Sequence, residues 1–97
     1  MLTFEKVLAA FKDYLEEDDC CTVLMTPRGY TILEWDDSCQ NWVEAEFCAT
    51  PEVMRDLLLT DLACHLKNKI TSCERPLKDD EWEKVQQQLN EIAALLQ

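Results

Sequence analysis

The chain holds 97 residues, 20 acidic against 9 basic, for a formal charge of −11 at pH 7. That surplus of carboxylates repels nucleic acid and anionic lipid, which excludes a phosphate-seeking surface and docking on a charged membrane. A hydrophobic content of 47% over this length fits one domain, residues 1–97, with a modest core.

Phe4, Val7, Leu8, Phe11, Tyr14 and Leu15 recur at helical spacing and predict a helix over about residues 4–17, capped by Thr3. Glu16-Glu17-Asp18-Asp19 follows at the negative end of that helix, where anions sit poorly, and reads as a solvated corner. Three strand-like runs come next: Cys21 to Thr26, Tyr30 to Trp35 and Asn41 to Cys48, rich in β-branched and aromatic residues. Thr26-Pro27-Arg28-Gly29 reads as a type I turn closed by a left-handed glycine, a three-residue loop pairing Thr26 with Tyr30. In that register Val23 faces Leu33 and Cys21 faces Trp35. For the second hairpin two registers compete. Opposing Glu34 to Glu44 would set like charges together, so the pairing of Glu34 with Trp42 and Leu33 with Val43 is preferred.

Thr50-Pro51-Glu52 is a strong helix start: hydroxyl cap, proline at the first position, acid near the positive end. The helix should run from Pro51 to about Lys69. Its apolar residues cover two sides, which predicts a central element between the sheet and another helix. A last helix from about Asp79 to the C-terminus carries Trp82, Val85, Leu89, Ile92 and Leu96 at spacings of three and four. That seam either packs back on the preceding helix or joins two copies in a homodimer.

Together these predict an α+β domain in the order α-β-β-β-α-α, a three-stranded antiparallel meander with helices packed on one face. The expected core is Phe11, Leu15, Val23, Leu33, Trp35, Val43, Phe47, Leu58 and Leu62. No run of roughly 18 apolar residues is present. Met1-Leu2-Thr3-Phe4-Glu5-Lys6 lacks a basic lead and an apolar stretch, so a cytoplasmic location is expected. There the six cysteines should be reduced and mostly packed, since no C-x-x-C pair occurs and Cys20 and Cys21 are adjacent.

Catalytic signatures are missing from the sequence. One glycine cannot build a phosphate loop, and Cys64 and His65 are consecutive on a helix, where side chains diverge by about 100°. No enzyme, metal or cofactor is expected. What remains is surface. The preferred register sends Leu24, Tyr30, Ile32, Glu34, Trp42, Glu44 and Glu46 to the sheet face away from the core. Aromatic anchors ringed by acids read as a contact surface for a protein partner, which could be basic, or for a second copy.

Gly29-Tyr30-Thr31, Trp35-Asp36, Trp42 and Cys48-x-Thr50-Pro51-Glu52-x-x-Arg55-Asp56-x-Leu58-Leu59 resemble a group of short, acidic, uncharacterised proteins from conjugative and other mobile elements of gut Firmicutes. The resemblance implies a bacterial cytoplasmic setting and mobile-element cargo, and implies no activity. Two functions follow from the residues. One is a non-enzymatic interaction or accessory protein using the acidic-aromatic sheet face. The alternative is an acidic nucleic-acid mimic that inhibits a DNA- or RNA-binding protein. A redox role for Cys20-Cys21 is a third idea.

Overall fold

The computed structural model describes residues 1–97. Two short helices, α1 (Phe4–Ala10) and α2 (Lys12–Glu17), precede strands β1 (Cys21–Thr26), β2 (Gly29–Asp36) and β3 (Asn41–Phe47). Helices α3 (Pro51–Thr71) and α4 (Asp79–Leu95) follow. The sheet is antiparallel in the order β1-β2-β3, which gives the expected α+β class and element order.

The N-terminal helical segment is interrupted once. Phe11 takes φ −98° and ψ 8°, outside the helical well, and its side chain is fully buried. Main-chain bonds still run through it, from Phe11 N–H to Val7 and from Leu15 N–H to Phe11. Thr3 Oγ1 accepts from Lys6 N–H, and Thr50 Oγ1 accepts from Val53 N–H at 3.2 Å, so both predicted caps form. α3 closes on Ser72 in the left-handed conformation, φ 53°, whose N–H bonds the Asn68 carbonyl.

Seven residues, 72–78, join α3 to α4. They span at most ~25 Å, less than the ~31 Å length of α3, so α4 must return along α3 instead of starting again at its beginning. Arg75 grips both oxygens of Glu81 at 2.7 and 2.9 Å, and Glu81 also accepts from Lys78 N–H, fixing the start of α4. Val85 and Leu96 are buried, and Leu89 and Ile92 pack against the core. The α4 seam is therefore spent within one chain, with Trp82 left exposed at its outer end.

The core joins Val7, Phe11 and Tyr14 to Cys21 and Ile32, Cys48, the α3 residues Met54, Leu58 and Leu62, and Leu96. The thinnest dimension of the molecule is 18 Å, about what one sheet and one helical layer occupy. α4 thus shares the helical layer with α3, a correction to the expectation that α3 is sandwiched between sheet and helix. One face of the sheet stays open.

The expected core needs a further correction, on β2. Ile32 is 3% exposed and belongs to the core, whereas Phe47 is 53% exposed. Leu33 and Trp35 are half-buried and lie outside the core cluster. The cause is the first hairpin. Thr26 pairs with Gly29, not Tyr30, which leaves only Pro27-Arg28 as the loop. Thr26 Oγ1 donates to the Gly29 carbonyl at 2.8 Å and accepts from Arg28 N–H at 3.2 Å, stapling the tighter turn. A one-residue slip sends every β2 side chain to the opposite face.

Candidate functional site

Pairing fixes which residues share a side. Val23 stands opposite Ile32, and Cys21 opposite Glu34; Thr22 stands opposite Leu33, and Leu24 opposite Thr31. On the other flank Trp35 pairs with Trp42 and Thr31 with Phe47. The outer face therefore presents Leu24, Leu33, Trp35, Trp42 and Phe47, together with the threonines Thr22 and Thr31. None of these outward positions is charged.

The face is continuous. Trp35 and Trp42 meet edge to face with ring centroids 5.3 Å apart. The Phe47 ring lies over Gly29, where a Cβ would stand 3.4 Å from it. Leu24 and Trp42 are 50% and 41% exposed. Trp35 donates its indole N–H to Asp37 at 2.8 Å, which ties the ring to the loop after β2. An uncovered apolar sheet face on so acidic a chain is its most distinctive surface.

Of the seven residues expected there, Leu24 and Trp42 are on the outer face. The other five are not. Tyr30 packs on Phe4 of α1 with centroids 5.0 Å apart, and Ile32 is core. Glu46, opposite Ile32, is exposed at the rim of the helix side. Glu34 and Glu44 join Asp61 of α3 in a carboxyl cluster below the sheet.

The second hairpin explains that cluster. Its register changes between Ile32 and Glu34: Ile32 pairs with Glu46, but Glu34 pairs with Val43. Glu44 and Ala45 form a bulge opposite Leu33, and Glu44 takes φ 54°. The preferred register, Glu34 with Trp42 and Leu33 with Val43, is realised nowhere; the other holds only at Thr31 and Ile32, and beyond the bulge the pairing lies between the two. The bulge spares Glu34 a direct cross-strand glutamate, yet turns the Glu44 carboxylate toward it. Burial, the charge of Asp61 and the bond to Glu44 push Glu34 up to about 7. Burial also raises Asp61.

The cluster opens into a cleft of about 350 Å³ lined by Tyr14, Cys21, Glu34, Asp61, Cys64 and His65, among others. The buried thiol of the cleft is not activated as a nucleophile. Burial pushes the Cys21 thiol up to about 12, and its Sγ donates to an Asp61 oxygen at 3.8 Å. His65 lies between Glu17 at 3.0 Å and Asp18 at 3.7 Å, so it fastens α3 to the end of α2. Lys69 also binds Glu17. The acidic corner is therefore tied down, not merely solvated as expected.

All six cysteines are free, but only Cys21 and Cys48 are buried; Cys39, Cys64 and Cys73 are exposed, contrary to the packed reading. Asp18, Asp19 and Cys20 could each offer a metal ligand atom within 4.8 Å of the others. The Asp18 carboxylate already accepts from Tyr14 O–H at 2.8 Å and Cys20 N–H at 3.0 Å, so the trio has a structural use. No helix is long and apolar enough to cross a membrane. A scan of protein-family models, a search of curated proteins and a search of solved structures return no match to this chain.

Proposed function

We propose that the protein is a non-catalytic interaction module that docks a protein partner on the outer face of its sheet. One observation carries this reading: five large apolar side chains from three adjacent strands form an uncharged, uncovered surface on a chain of charge −11. Leaving such a surface in water costs free energy that a partner would recover. Trp35 and Trp42 are the natural anchors, because aromatic pairs bury much area at little entropic cost. Asp37, which accepts the Trp35 indole N–H, borders the patch, so an apolar partner surface with a basic group at its edge fits best.

The phosphate-mimic alternative is less well supported. It needs carboxylates at regular intervals on one surface, and Glu34 and Glu44 instead bond to each other below the sheet. The resemblance to mobile-element proteins supplies a setting for either reading.

The test is affinity capture from the native host with the wild-type chain and with Trp42→Ser as baits. A partner held by the wild type and lost by Trp42→Ser, with unchanged far-ultraviolet circular dichroism, supports the reading. Equal capture by both baits, or binding that collapses between low and moderate salt, contradicts it.

A further inference from the structure

The two edges of the sheet are unequal. β3 ends its side of the sheet with a bulge and carries Glu44 and Glu46, devices that discourage strand addition. β1 has neither. Its sequence Cys-Thr-Val-Leu-Met-Thr contains no charge, no proline and no irregularity of pairing.

The phase of the ladder decides which main-chain groups β1 leaves free. Trp35 N–H donates to the Cys20 carbonyl at 2.8 Å, so bonds between β1 and β2 fall at Cys20, Thr22, Leu24 and Thr26. The N–H and C=O of Val23 and Met25 point to the open side. None of the bonds outside the ladder uses them. Leu24 is 50% and Met25 70% exposed beside them.

We propose that two copies of this chain pair through β1, antiparallel about a twofold axis at Leu24. Val23 then stands opposite Met25 of the second copy, and each donates to and accepts from the other. By symmetry the four free N–H groups of the two strands meet the four free carbonyls in an isologous interface. The register has a second consequence. Arg28 falls opposite Cys20 of the other copy, beside Asp19. Arg28 is exposed, makes no ion pair in its own chain, and is the only basic residue between Lys12 and Arg55. Asp19 is exposed as well. The twofold axis creates this Arg28–Asp19 pair twice, at the two ends of the joined strands, where it offsets the repulsion of two acidic chains. The product is a six-stranded sheet with the two outer faces side by side. It stands apart from the docking role of those faces, since β1 could pair whatever they bind.

Sedimentation equilibrium of the full chain tests the dimer. The expected result is a concentration-dependent mass approaching two 11.3 kDa chains. Arg28→Glu, in an exposed turn, should weaken association by roughly tenfold, and adding Asp19→Arg should restore it. Met25→Pro removes a free N–H from an exposed edge position and should also give monomers. Amide exchange should slow at Val23 and Met25 as concentration rises. A monomer at every concentration up to ~0.5 mM overturns the proposal. So does a dimer indifferent to both Arg28→Glu and Met25→Pro, or one abolished by Trp42→Ser, which would place the interface on the outer face.

Discussion

Trp35 and Trp42 occupy directly opposed positions on β2 and β3, their rings 5.3 Å apart and inclined at 73°. Both lie on the face no helix covers, so their contact adds little to the core. Trp42→Ala should leave the domain folded and cost about 1 kcal/mol in urea denaturation, the worth of an aromatic pair with partial burial. The near-ultraviolet dichroism of the pair should fall sharply. A loss of several kcal/mol would mean that Trp42 is buried.

Glu44 holds a left-handed backbone, φ 54°, that glycine adopts without steric cost. Glu44→Gly should therefore stabilise the domain by about 1 kcal/mol. Glu44→Gln removes the charge beside Glu34 but keeps the strain, so a smaller gain there separates the two effects. Destabilisation by Glu44→Gly would contradict the bulge.

Glu34 has a folded-state pKa of about 7 against an ordinary value of 4.5, so folding favours its protonated form. That contribution is complete below pH 4.5 and fades as pH rises through about 7. Stability should rise as pH falls from 8 to about 5, before groups with depressed values such as Glu81, at about 2, begin to oppose it. Glu34→Gln should flatten this slope by about one proton and raise stability at pH 8. Thermal melts across pH check it; an unchanged slope would remove Glu34 from the cluster.

Thr50 caps the longest helix through a single hydroxyl, which accepts Val53 N–H. Thr50→Ala should cost about 1 kcal/mol, while Thr50→Ser should be near neutral. Urea midpoints of the two variants give the comparison.

Local chemistry was legible in the sequence where it has one solution. Thr50-Pro51 starts α3 and Thr3 starts α1, because a hydroxyl followed by free N–H groups has few other uses. The order of elements followed from periodicity in the same way. The faces of the sheet did not. β2 is apolar on both sides, with Tyr30 and Ile32 against Leu33 and Trp35, so alternation alone cannot choose between them. The choice passed to one turn, where the Thr26 hydroxyl favours a two-residue loop over the three-residue loop that glycine suggested. β3 was oriented correctly at Trp42 and Val43, then reversed at Phe47 by a bulge at a glutamate, which carries no signal of left-handed backbone. Of the seven residues that alternation assigns to the outer face, only Leu24 and Trp42 stand there.

Paired thermal melts of Ile32→Asp and Phe47→Asp test the assignment of faces most directly. Ile32 is in the core, so an aspartate there is a buried charge without a partner, and the domain should not fold. Phe47 is on the open face, so Phe47→Asp should melt as a cooperative domain within a few degrees of the wild type. An unfolded Phe47→Asp beside a folded Ile32→Asp would contradict the account.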